Sequence, residues 1–121
     1  MDFTPTNPSY EARVRESLVR QRAMATLDAR FLRLAPSAVD LELPYRADLT
    51  QQHGYLHAGI VTTLLDSACG YAGFTLMPAE ATVLSVEFKT NLLAPAEGEK
   101  LVARGGCCAR GAHSRCVRPA A

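Results

Sequence analysis

The chain has 121 residues, 48% hydrophobic and 21% charged, with a formal net charge of +1. That length suits one domain with a modest core, and the near-neutral balance argues against a basic nucleic-acid-binding surface. The longest apolar stretch is interrupted by Asp66, and the start, Met1-Asp2-Phe3-Thr4-Pro5, lacks the basic-then-apolar layout of a secretory signal, so a cytoplasmic protein without a membrane span is expected.

Residues 9–25 predict a helix, with Ser9 as N-cap, Pro8 just outside, and a thin apolar stripe of Val14 and Leu18 among Arg and Glu. From Ala29 to Pro44 the pattern alternates, with Phe31, Val39, Leu41 and Leu43 set against Arg33, Asp40 and Glu42. The Ala35-Pro36-Ser37-Ala38 segment between them predicts a hairpin with one wet face. Residues 46–56 are polar and aperiodic, and read as a loop. His57 to Met77 is long, mostly apolar and closed by Pro78; its length favours a helix over a strand pair. Residues 82–93 alternate again and predict a strand. Residues 94–98 are a turn, and Lys100 to Arg104 begins a further strand. This order predicts an α+β domain, an antiparallel sheet around a long central helix.

At 100° per residue, Gly59, Asp66 and Gly73 fall on one line of that helix, with Thr62, Thr63 and Gly70 beside it. One narrow face is therefore small residues plus a single carboxylate, while Cys69 and the larger side chains read as core. A lone Asp on an apolar helix is costly unless it is solvated, paired or used. His57-Ala58-Gly59 opens the helix, where the first N–H groups lack intrahelical acceptors and suit a polarised carbonyl oxygen. Ala58 and Asp66 are eight residues apart, about 12 Å along a helix, too far to meet at one carbonyl. If they cooperate, the carboxylate comes from a second copy whose helix runs antiparallel.

The residues Gln51-x-x-Gly54-x-x-His57-Ala58-Gly59, then Leu65-Asp66, Ser85-Val86-Glu87-Phe88 and Asn91-Leu92-Leu93-Ala94-Pro95-Ala96-Glu97-Gly98, resemble the PaaI-like hotdog-fold acyl-CoA thioesterases over roughly residues 40–104. The resemblance implies a hotdog fold, a homodimer or dimer of dimers, an acyl-CoA substrate, and hydrolysis of its thioester to free acid and coenzyme A. It implies no cofactor, coenzyme A being part of the substrate. By that similarity Asp66 is general base or nucleophile, and the N–H of Ala58 or Gly59 polarises the thioester carbonyl. Gln51 stands where many relatives carry Asn, so its amide would position water from one methylene further out, and Ser85 assists the acid. His57, His53, Gly54 and Tyr55 are the candidate substrate-contacting residues, His57 having a loop-fixing cap as its simpler role. Tyr55, Leu56, Tyr71 and Phe74 line an acyl or aryl pocket or belong to the core. Two alternatives to the enzyme are a non-catalytic acyl-CoA or acyl-carrier binding protein of the same fold and a truncated, inactive product.

The expected organisation is an N-terminal helical segment (1–26), a hotdog domain (27–104) and an atypical tail (105–121). Eleven of the tail's seventeen residues are Gly, Ala, Arg or Pro, and no strand alternation is visible. The resemblance implies two long strands there, so the expectation is that they are lost or written in a shifted frame. Cys107, Cys108, His113 and Cys116 lack the usual C-x2-C layout, and no metal site is expected.

Overall fold

The computed structural model describes the backbone of residues 3–109 and 113–117 and side chains from 3 to 107. In chain order the elements are α1 (Tyr10–Arg20), α2 (Arg22–Leu27), β1 (Arg30–Ala35), β2 (Ala38–Pro44), a single 3-10 turn at Ala47–Leu49, α3 (Ala58–Phe74), β3 (Lys100–Ala109) and β4 (His113–Val117). The strands form one antiparallel sheet in the order β1-β2-β3-β4. Among the described residues no helix is long and apolar enough to cross a membrane.

The N-terminal helix is broken in two and does not begin as its sequence suggests. The Ser9 side chain makes no cap bond; instead Asn7 Oδ1 accepts from the Ser9 N–H at 2.9 Å, and Asn7 is buried. At Gln21 the backbone turns extended, with φ −81° and ψ 97°. The freed Gln21 side chain ties this break to α3: its Oε1 accepts from Ser67 Oγ at 3.2 Å, and its Nε2 donates to the Tyr71 hydroxyl at 2.9 Å. Ser67 and Tyr71 are both buried, so the Gln21 amide satisfies polar groups that would otherwise carry a desolvation cost.

The hairpin forms as its alternation predicts. Val39, Leu41 and Leu43 of β2 point into the core at zero exposure, while Asp40 and Glu42 lie on the other face. A register shift between Phe31 and Arg33 is the one irregularity of the β1–β2 ladder, and Leu32 there is exposed. The turn residue Ser37 sits at φ 61°, held by its N–H on Thr75 Oγ1 at 2.8 Å just beyond α3. Against this sheet α3 buries Val61, Leu64, Ala68, Tyr71, Ala72 and Phe74. β3 approaches α3 closely at Gly105, where an added Cβ would lie 2.2 Å from the Ala68 carbonyl oxygen. Only a glycine lets the strand come this near.

Three expectations are corrected. Residues 82–93 alternate as a strand would but form none: among the described residues the segment joins no ladder, and Leu84, Val86 and Leu93 are 86%, 96% and 91% exposed. A strand exists only where a partner edge offers hydrogen bonds, and alternation alone does not supply one. Strand character also does not stop at Arg104; β3 continues to Ala109, with Gly105 and Gly106 paired to Val39 and Ala38. The ladder is made by backbone groups, so it tolerates the small residues that erase a hydrophobic pattern. Finally Cys69, read as core packing, is half-buried and disulfide-bonded. The side chains of Cys108, His113 and Cys116 lie outside the described residues.

Replacing Gly105 by Ala should destabilise the fold by about 1–3 kcal/mol, since a backbone carbonyl must move to admit the methyl group. Gly106→Ala is the control, because its Cβ would meet nothing nearer than the Ser37 oxygen at 3.8 Å. Urea denaturation of the two variants checks this. Equal midpoints would show that β3 and α3 separate without cost.

Candidate active site

The loop before α3 is a closed structure. The Gln51 N–H donates to the Tyr55 carbonyl at 2.8 Å, and the Gly54 N–H returns to the Gln51 carbonyl at 3.0 Å. Thr50 and Leu56 form an antiparallel bridge, and the His57 N–H donates to Leu49 O at 2.9 Å. Gly54 has φ +87°, a conformation that favours glycine in a turn this tight. The Gln51 side chain closes the turn from inside, its Oε1 accepting from the His53 N–H. That occupies the carbonyl end of the amide and leaves the Nε2 end to act as donor, a constraint invisible in the sequence. His53 and Gly54 are exposed and Tyr55 is half-buried.

His57 caps α3. Its Nδ1 accepts from the Gly59 N–H at 2.8 Å, so in the neutral ring the hydrogen sits on Nε2. The Ile60 and Val61 N–H groups both donate to the His57 carbonyl, at 2.9 and 3.1 Å. Of the first-turn donors this leaves the Ala58 N–H, which has no acceptor among the described residues. Where the resemblance left Ala58 or Gly59 as the carbonyl-binding donor, the cap commits the Gly59 N–H and leaves that of Ala58.

Two turns further along, Ser85 Oγ donates to Asp66 Oδ1 at 2.6 Å. The pair joins residues nineteen apart in sequence and pins the 82–93 segment across α3 at this point. Asp66 is half-buried. A methyl group added to Gly70 or Gly73, on the same face, would have nothing within 4 Å, so the face beside the carboxylate is open. Thr63 is turned back on its own helix, its Oγ1 donating to Gly59 O at 2.8 Å.

The candidates thus form two groups. Gln51, His53, Gly54, Tyr55, His57, Ala58 and Gly59 gather at the N-terminal end of α3; Asp66 and Ser85 sit about 12 Å along it. Tyr71 and Phe74 belong to the core, where Tyr71 lies 6.0 Å from the Phe31 ring and 6.5 Å from that of Phe74. Beside the loop, Arg46 donates to both carboxylate oxygens of Asp48, at 3.1 and 2.8 Å, and holds that carboxyl below its usual range. The pair is exposed and adds little to stability. What it adds is present above the unfolded carboxyl's pKa and lost as pH falls through the lowered folded value. Among the described residues no cluster of His, Cys, Asp and Glu suits a metal ion.

Comparison with known proteins gives the family and the fold. A family model described as the thioesterase superfamily matches residues 53–118. A curated protein of Saccharolobus solfataricus that bears an esterase name is 33% identical over 69 residues, 57% of this chain and 49% of that protein; the chain spans about half the length of this curated relative. The crystal structure of a thioesterase family protein from Silicibacter pomeroyi is 58% identical, with a TM-score of 0.83 over 84% of this chain and 75% of that one. A mutant of the phenylacetic acid degradation protein PaaI from Thermus thermophilus is 28% identical, with a TM-score of 0.62 over 71% and 72% of the two chains. The architecture is the α+β hotdog fold.

The cap can be tested by itself. His57→Ala should cost about 0.5–2 kcal/mol of stability, the usual worth of an N-cap, whereas His57→Asn, which offers an oxygen to the same N–H, should retain most of it. Thermal melts of the two variants check the order. An Asn variant as unstable as the Ala variant would mean that the imidazole does more than cap.

Proposed function

Because the chain belongs to the thioesterase superfamily, we propose that it hydrolyses acyl-CoA thioesters, at sites each shared between two copies of the chain. The observation that carries this reading is the Asp66–Ser85 pair at 2.6 Å on an open face of small residues. A carboxylate oriented by a hydroxyl on one oxygen keeps the other free to accept a proton.

In the proposed reaction Asp66 takes a proton from water as the water oxygen bonds to the thioester carbon. The carbonyl oxygen gains negative charge opposite the Ala58 N–H at the positive end of α3, with the Gln51 Nε2 as a second donor. The carbon–sulfur bond then breaks, the thiolate takes up the proton held by Asp66, and free acid and coenzyme A leave. No cofactor takes part.

The separation of the two groups supports the shared site. Asp66 and the Ala58 N–H of one chain are about 12 Å apart, while an antiparallel second α3 brings Asp66 of one copy opposite Ala58 of the other. The segment 82–93 supports the same assembly, since its unpaired backbone and exposed Leu84 and Val86 offer an edge for a second copy.

Asp66→Asn should lower kcat on short acyl- or aryl-CoA substrates by about 10²–10⁴-fold, the range for loss of a general base. Hydrolysis by the Asn variant at the wild-type rate would refute the assignment. Retained substrate binding in a wild-type protein without hydrolysis would favour a binding module instead.

A complementation experiment tests the sharing. Ala58 is the first residue of α3, where proline is tolerated and removes only the N–H, and His57 already has the extended φ −60°, ψ 138° that precedes a proline. Ala58→Pro and Asp66→Asn should each be nearly inactive. Mixed after dissociation, half the dimers are mixed and carry one intact site of two, so about one quarter of wild-type activity should return. No recovery from dimers shown to have exchanged subunits would place both groups of each site in one chain.

A further inference from the structure

We infer that Tyr45 is a positioning residue for the Gln51 loop, an inference that rests on the thioesterase reading above. Tyr45 follows the last residue of β2, and its N–H donates to Glu99 O at 2.9 Å, immediately before β3. Its backbone is thereby part of the sheet, in register with the Pro44–Lys100 pair. Its hydroxyl reaches across to the loop and donates to the Gly54 carbonyl at 3.0 Å.

That acceptor is well placed to control the loop. Gly54 closes the turn that starts at Gln51, and its φ of +87° fixes where the peptide beyond it points. The other polar bonds of the turn run inside it, from Gln51 to His53, Gly54 and Tyr55. Among the described residues the Tyr45 hydroxyl is the one side-chain group from outside residues 47–57 that bonds the turn 51–55. The stem of the turn is held by Leu56, buried in the core with its N–H on Ala96 O at 3.0 Å, while the tip that carries Gln51 is tied to the sheet through this phenol. A turn closed only on itself keeps its shape but tilts as a unit about its stem.

Tyr45 is partly exposed, at 39%, so losing its hydroxyl exposes no buried group. Tyr45→Phe should leave the melting temperature close to wild type and show its effect in the chemistry. With Gln51 displaced from the carbonyl oxygen, kcat should fall about five- to ten-fold with KM little changed, the loss expected when one positioned hydrogen bond is weakened. In a Gln51→Ala background the same change should have little further effect, because the group it positions is already gone. Hydrogen exchange gives a readout independent of turnover: amides of residues 51–56 should exchange faster in Tyr45→Phe, with those of α3 unchanged.

Equal losses from Tyr45→Phe in the wild-type and Gln51→Ala backgrounds would overturn the inference, as would unchanged exchange in the loop. In either case Asp66→Asn would still be inactive, so the thioesterase reading would survive. A wild-type protein that hydrolyses no thioester would overturn that reading and the positioning role together.

Discussion

The last carbonyls of α3 end inside the molecule, and satisfying them governs how the rest of the chain is arranged. A helix end leaves up to four acceptors without intrahelical donors. Thr75 and Leu76 meet the carbonyls of Tyr71, Ala72 and Gly73, and the Arg13 guanidinium donates to that of Phe74, the last residue of α3, and to those of Met77 and Pro78 just beyond it, the first two at 3.1 Å. Thr6 Oγ1 covers Leu76 O at 3.0 Å. Arg13 also lies 4.1 Å above the Phe74 ring, so the cation is held by a π face as well as by the negative end of the helix dipole. Its Nε stays buried without a partner, a cost accepted for placing three donors at once. The N-terminal segment, through Thr6 and through Arg13 of α1, thus closes the C-terminal end of the central helix.

That arrangement makes the two ends of α3 unlike each other. The C-terminal end is closed by Arg13 and Thr6, and the Gln21–Ser67–Tyr71 bonds fasten the same helix from the side. The N-terminal end is closed only in part: His57 consumes one donor, its own carbonyl takes two more, and the Ala58 N–H remains. On the proposed reading this donor, at the positive end of a rigidly held helix, is preorganised, because nothing has to move when charge develops on an approaching oxygen.

What could be seen in the sequence follows from the range of the interactions involved. The start of α3, the 29–44 hairpin and the polar loop rest on local periodicity and turn residues and stand where the residues predict, while α3 stops at Phe74, short of the expected Met77. The segment 82–93 carries an equally clear alternation, yet among the described residues it joins no ladder, because pairing depends on an edge far away in sequence. Side-chain competition is also hidden: Asn7 and Ser9 are both good caps, and only the entry path of the chain decides between them. The same holds in the site. The small-residue face and Asp66 emerge from a helical wheel, but the Asp66–Ser85 contact crosses nineteen residues. The choice of Ala58 over Gly59 depends on which ring nitrogen of His57 faces the backbone. Tyr45 follows a strand-ending proline and carries no pattern at all.

Glycine is offset in two different ways in this chain. For Gly105 the compensation is internal, since β3 touches the Ala68 carbonyl only because no Cβ intervenes. Gly70 and Gly73 lie inside α3, where each glycine costs about 1 kcal/mol relative to alanine. Neither has such a contact: a methyl group at either position would meet empty space. Within a single chain, alanine at both sites would therefore be the more stable choice. On the proposed reading the offset comes from outside, where a second α3 or the substrate packs against the backbone at these positions. The same open face carries Asp66, so on that reading the surface that makes the lone chain less stable is also the one that would bring the carboxylate to the Ala58 of a second copy.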